Sequence, residues 1–210
     1  YVVMDASDGT VMASRQPDAR REIASLTKMM TARLTLAAGG LDRVVDVPVA
    51  ATTIGESVVG LRAGQQETRR HLLEGLLVWS GNDAAEALAI AVGGSEAAFR
   101  RRMNLEARRL GMRNTAYVTP YGLDNPGQYS SARDQAILAR ALMAVPEARR
   151  IVALRSVSFG NGPLPTRNNL LSAYAGADGV KTGHTGQAGW CLAASASRAG
   201  RRLIVVGLGA

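Results

Sequence analysis

The sequence predicts an α/β (α+β) fold: a sheet domain built from both chain ends, residues 1–46 and 150–210, with a mainly helical subdomain over 47–149 inserted between them. Three observations predict it. Strand-like alternation occurs near Tyr1 and again from Ser156 onward, while the middle of the chain carries apolar residues at helical spacing. Glycine and proline clusters separate these stretches. At 210 residues, 47% hydrophobic and 20% charged, the chain has ample material for a core. No apolar run approaches the ~18 residues of a membrane span.

In order, Tyr1–Ala6 and Thr10–Ser14, joined by Ser7-Asp8-Gly9, form a predicted hairpin. Tyr1, not Met, stands first and already reads as strand, so a fragment that begins inside a fold, without its signal peptide, is expected. From Ser25 a helix of about three turns follows, carrying Met29, Met30, Leu34, Leu36 and Ala37 and closed by Gly39-Gly40. Arg43–Val49 reads as short strands, and residues 51–66, with Gly55, Gly60 and Gly64, as loop. Leu72, Leu73, Leu76 and Leu77 make a helical stripe. Ala84–Val92 is a second helix, and Phe99, Met103, Ala107 and Leu110 mark a third, stopped by Gly111.

Residues 119–128 are a loop holding Pro120, Gly122, Pro126 and Gly127; Ser131 then caps a helix through Met143, and Pro146 opens a short one. Val157–Phe159, Gly179–Thr185, Gln187–Ser197 and Arg201–Leu208 are the closing strands. There is no internal repeat.

The chemistry gathers first at Ser25-Leu26-Thr27-Lys28. Residues three apart share a helix face, so a hydroxyl and an amine meet at the positive end of the first helix. A Ser-x-x-Lys arises by chance about once in a chain this long, as a cap beside a solvated lysine. Lysine usage tips the balance: of 25 Lys and Arg residues, Lys28 and Lys181 alone are lysine. An amine that becomes neutral and takes a proton is something a guanidinium cannot replace. Ser25 is therefore a candidate nucleophile and Lys28 its base.

Two further motifs lie downstream, Trp79-Ser80-Gly81-Asn82-Asp83 between predicted helices and Lys181-Thr182-Gly183 on a predicted strand. Each alone reads as a capped turn or a strand with a glycine. Together with Ser25-x-x-Lys28, in this order, they match the signature of penicillin-recognising serine enzymes. The chain resembles a low-molecular-mass penicillin-binding protein of the serine D-alanyl-D-alanine carboxypeptidase family. Wider stretches carry that resemblance: 24–31, Ser80-Gly81-Asn82-Asp83-Ala84-Ala85, 129–134 and Asp178-Gly179-Val180-Lys181-Thr182-Gly183-His184-Thr185. Gly81 in the middle of the second motif, where class A β-lactamases have Asp, is similar to the carboxypeptidase branch.

The resemblance implies a β-lactamase/transpeptidase-like fold, an antiparallel sheet flanked by helices with an inserted helical subdomain. It implies attack by Ser25 on the D-Ala-D-Ala carbonyl of a peptidoglycan pentapeptide, giving an acyl-enzyme that water hydrolyses, with β-lactams as covalent inhibitors. Burial and the like charge of Lys181 are expected to lower the pKa of Lys28, while Lys181 stays charged. The Ser25 N–H at its helix start is one expected oxyanion donor and, by resemblance, the His184 N–H the other, leaving the imidazole incidental. Ser80 relays a proton to the leaving amine, and Asn82 holds Lys28 and the substrate amide. Thr182 takes the terminal carboxylate, and Gly183 leaves room for an extended peptide at the strand edge. The Tyr121-Gly122-Leu123 loop shapes the rim without chemistry of its own. Arg167 is either a contact for anionic substrate or a surface cation. The family also places an Arg for the carboxylate just past the position of Ala210, and a later domain and membrane-associating tail.

No cofactor and no metal are expected, since His71 and His184 stand far apart without ligand-spaced neighbours. Cys191, the one cysteine, reads as a buried thiol. The net charge of +8 raises nucleic acid as a partner, but there is no such motif and there are few aromatics for stacking. Arg100-Arg101-Arg102, Arg108-Arg109, Arg149-Arg150 and Arg201-Arg202 read as solvated faces that also favour an anionic polymer such as a cell wall. The expected location is extracytoplasmic, with membrane anchoring only through segments outside this sequence. Two alternatives stand beside the carboxypeptidase. A β-lactamase needs a deacylating Glu in a loop motif, whereas Glu86, Glu96, Glu106 and Glu147 fall in helical patterns. A catalytically silent cell-wall binding module is the other.

Overall fold

The computed structural model describes residues 1–160 and 162–210. Five antiparallel strands form the main sheet, and they come from the two ends of the chain: β1 (Val2–Asp5), β2 (Val11–Ser14), β7 (Ala177–Thr185), β8 (Gly189–Arg198) and β9 (Arg201–Gly207), in the order β2-β1-β9-β8-β7. The Ser7-Asp8-Gly9 turn forms as its residues demand, because the Asp5 carboxylate accepts from the Ser7 N–H at 2.9 Å and Gly9 supplies φ +86°. On the inner face Val2, Met4, Cys191, Ala193, Ile204 and Val206 are buried. Each of the Val, Ile and Met side chains contributes roughly 1.5–3 kcal/mol on leaving water.

Between the sheet's halves run α1 (Lys28–Ala38), α2 (Val49–Thr52), α3 (Arg69–Glu74), α4 (Asn82–Gly93), α5 (Glu96–Arg109), α6 (Ala132–Met143), α7 (Pro146–Val152) and α8 (Leu170–Ala173). Ser131 caps α6 as its sequence predicts, its side chain accepting from the Asp134 N–H at 3.2 Å. α6 packs across β9, β1 and β8, while α7 packs on β7. Two small antiparallel pairs complete the fold, β3 (Val44–Asp46) with β4 (Gln66–Thr68) and β5 (Ser156–Phe159) with β6 (Gly162–Pro165).

Two of the elements that differ from the sequence reading shape the site. The helix expected to begin at Ser25 opens with a 3₁₀ turn over Ala24–Thr27 before α1 proper, and Ala24 takes φ +46° there. Leucine periodicity over 72–77 runs on past α3 into a π-helical turn, Gly75–Trp79. Such wide turns cluster at functional sites. This one ends at Ser80, held in the left-handed region at φ 78°, ψ 33°. Phe159 of β5 covers Gly75 so closely that a Cβ there would lie 2.8 Å from its ring.

Candidate active site

The 3₁₀ turn, the π-turn and the free edge of β7 converge on one cleft. Ser25, Ser57, Ser80, Arg167, Thr182 and His184 all line a cavity of about 620 Å³. A larger cavity, about 1060 Å³, lies elsewhere, lined by β1, α5, α6 and the β8–β9 turn.

Lys28 Nζ donates to Ser25 Oγ at 2.8 Å and to the Tyr121 carbonyl at 2.6 Å. Its side chain is fully buried, and Lys181 is buried almost as completely. Burial, then the nearby Lys181 and Arg167 cations, hold the Lys28 amine well below the usual lysine range. A neutral amine this close to a serine hydroxyl is equipped to take its proton. Lys181 donates to the Thr182 carbonyl at 2.8 Å. Burial, and secondarily Arg167, bring its pKa down to about 7, so the expectation that Lys181 simply stays charged needs amending: an anion in the cleft is what favours its protonated form.

The strand register fixes which backbone groups face the cleft. Trp190 and Ala210 exchange both backbone hydrogen bonds, at 3.0 and 3.1 Å, so the Trp190 amide points away from β7. His184, opposite Trp190, therefore turns its N–H to the open edge, and Thr182, two residues along, does the same. Ser25 is the second residue of its 3₁₀ turn, where an N–H has no intrahelical acceptor. A Cβ on Gly183 would fall 3.0 Å from the Ser25 nitrogen and 3.2 Å from the Ile23 carbonyl oxygen. The glycine thus lets the nucleophile's turn sit against β7, where sequence reasoning had it making room for a peptide. The His184 imidazole is exposed and lies against Trp190, with centroids 4.4 Å apart.

Ser80 and Asn82 are both brought to this region and buried. Asn82, however, does not hold Lys28: its Nδ2 donates to the Gly55 carbonyl at 2.9 Å. The acceptor for Lys28 comes from the loop to which the sequence assigned no chemistry. Gly122, at φ +92°, is what brings that loop in, since a Cβ there would lie 2.1 Å from the Ala24 carbonyl oxygen. A glycine after a proline-containing stretch was the available signal. Asp83 was missed too: its carboxylate accepts from the N–H groups of Val59, Gly60 and Leu61 at 2.9–3.1 Å, tying the preceding loop to the start of α4.

Arg167 stacks its guanidinium over the Trp79 ring at 4.1 Å and anchors its own N–H to the Val78 carbonyl at 3.2 Å. Among the described residues no Asp or Glu side chain lines this cavity. Glu106 pairs with Arg33 and Arg109, and Glu147 with Arg70 and Arg150. The described residues hold no His/Cys/Asp/Glu group with metal-site geometry, and no helix among them is long and apolar enough to cross a membrane. Cys191 is buried, as its sequence surroundings predict.

A profile of the D-alanyl-D-alanine carboxypeptidase family matches residues 1–210. The chain is 40% identical over 223 residues to D-alanyl-D-alanine carboxypeptidase DacC of Escherichia coli (strain K12), covering 100% of this chain and 56% of that protein. A solved D-alanyl-D-alanine carboxypeptidase from Mycobacterium tuberculosis H37Rv matches at 36% identity with a TM-score of 0.93, over 99% of this chain and 80% of that one. The Streptomyces K15 DD-transpeptidase matches at 33% identity with a TM-score of 0.92, over 99% and 88%. The chain spans little more than half the length of the curated relatives it matches.

Proposed function

Because the chain belongs to the D-alanyl-D-alanine carboxypeptidase family, we propose that it is a serine enzyme removing the terminal D-alanine from peptidoglycan stem peptides, and that β-lactams acylate it. The observation that carries this reading is the buried Lys28 amine, 2.8 Å from Ser25 Oγ, in surroundings that favour its neutral form. Ser25 Oγ attacks the penultimate D-alanine carbonyl while Lys28 accepts its proton. The N–H groups of Ser25 and His184 stabilise the oxyanion. Ser80 passes the proton to the leaving D-alanine amine, and water then hydrolyses the acyl-enzyme.

Lys181, Thr182 and Arg167 face the terminal carboxylate as two cations and a hydroxyl. Gly183 keeps β7 within reach of the Ser25 turn, and Asn82 orders the 55–57 loop beside the cleft. With no Asp or Glu side chain lining the cavity among the described residues, deacylation of a penicilloyl-enzyme is slow. Work on this substrate is done outside the cytoplasm, which sets the proposed location.

Incubation with an N-acylated D-Ala-D-Ala peptide is expected to release D-alanine, and Ser25→Ala to abolish release. A folded wild-type protein that releases none, while still binding the peptide, would instead favour a silent binding module.

A further inference from the structure

Three of the arginine runs in the sequence, 108–109, 149–150 and 201–202, meet at one place remote from Ser25. Arg109 at the end of α5, Arg149 on α7, and Arg201 and Arg202 at the start of β9 line the cavity of about 1060 Å³, together with Arg140 of α6. β8 runs from Trp190, beside His184, to Arg198 at this end, so the two sites are separated by about 25 Å of strand.

The guanidiniums are held in place rather than waving in solvent. Arg140 donates to the Ala6 and Ser7 carbonyls, both at 2.9 Å, and Arg149 to the Met143 carbonyl at 2.7 Å. Arg201 pairs with Asp5, Arg202 with Asp178 and Arg109 with Glu106. Three cations thus have acid partners, while Arg140 and Arg149 are fixed by neutral carbonyls and have no acid partner among the described residues. Among the described residues Asp5 is the sole acid lining the groove. Backbone carbonyls fix geometry without cancelling charge, and ordered guanidinium forks match phosphate oxygens.

We propose that this groove binds a linear polyanion that carries a phosphate in every repeat. The volume is far larger than one phosphate group, and the cations lie along three walls, which suits a strand with repeating charges. Attraction of this kind releases counterions and weakens steeply with salt.

The test titrates the wild-type chain with long-chain inorganic polyphosphate at several salt concentrations. Binding is expected with a log–log salt slope equivalent to about three to five ionic contacts. R109Q/R149Q should bind at least about tenfold more weakly with a shallower slope, whereas R100Q/R101Q, from a run that does not line the groove, should change affinity less than about twofold. Both variants should still be acylated by benzylpenicillin at the wild-type rate. Equal weakening in the two variants would mean diffuse charge and would overturn the site. Unchanged affinity in R109Q/R149Q, or binding to phosphatidylglycerol vesicles without binding to polyphosphate, would overturn it as well. Should R109Q/R149Q fail to fold, protection of Arg109, Arg149 and Arg201 from phenylglyoxal by polyphosphate in the wild type decides the same question, absence of protection counting against it.

Discussion

Two lysines define the site at the scale of single residues, and both are kept at a cost. A fully buried amine is worse for folding than a buried hydrocarbon of similar shape. Lys28→Met is therefore expected to raise stability by about 1–3 kcal/mol while slowing acylation about 10³-fold, as read by thermal melts and by benzylpenicillin labelling. Loss of stability in this variant would mean that the Lys28 hydrogen bonds contribute more than the buried amine costs. The pH profile carries the same physics. Rate rises with pH as Lys28 gives up its proton, and kcat/KM falls as pH passes about 7 and Lys181 loses its charge. The Ser25–Lys28 pair was legible in the sequence because three residues along a helical stretch fix their approach. The Tyr121 carbonyl was not. It lies 93 residues from Lys28, and a backbone acceptor carries no side-chain signature. Asn82 misled for the related reason that a side-chain amide has many partners, and folding chose the Gly55 carbonyl.

At the scale of elements, the cleft is assembled from irregular pieces: a 3₁₀ turn, a π-turn ending in a left-handed serine, and an edge strand with a glycine where the turn touches it. Periodicity finds regular elements, so it located α4, α5 and the long strands but passed through the π-turn, whose leucines look like ordinary helix. α8, only four residues long, gave no periodic signal at all. Gly122 offers a direct test of this assembly, because it touches no substrate and bears no functional group. Gly122→Ala must push the loop off the Ala24 carbonyl and withdraw the acceptor that steadies Lys28. Acylation is expected to fall about 10²-fold with the protein still folded. An unaffected rate would show that the Tyr121 contact does not position the base.

For the whole molecule, the sheet's membership from both ends followed from the order of strand-like and helix-like segments, yet β5 and β6 pair with each other rather than joining the sheet, a choice of partner that alternation cannot encode. One buried group couples overall stability to pH without taking part in the proposed chemistry. Glu86 on α4 is 2% exposed, its Oε2 has no hydrogen-bond partner, and burial raises its pKa from 4.5 to about 7, with Glu96 adding to the rise. Its proton is held more tightly in the folded chain than in the unfolded one. The resulting stability is full below pH 4.5 and is lost as pH rises through about 7. Glu86→Gln should leave urea stability unchanged at pH 4.5 and raise it by roughly 2–3 kcal/mol at pH 8. An equal effect at both pH values would point to packing instead of ionisation.

The central claim is that Ser25, with Lys28 as its base, forms a covalent acyl-enzyme that this cleft hydrolyses slowly. It is tested most directly by incubating the protein with benzylpenicillin and following the intact mass over hours beside Ser25→Ala. A single adduct that persists in the wild type and is absent from the variant is the predicted result. An adduct on folded Ser25→Ala, or rapid penicillin turnover with no adduct accumulating on the wild type, would contradict it.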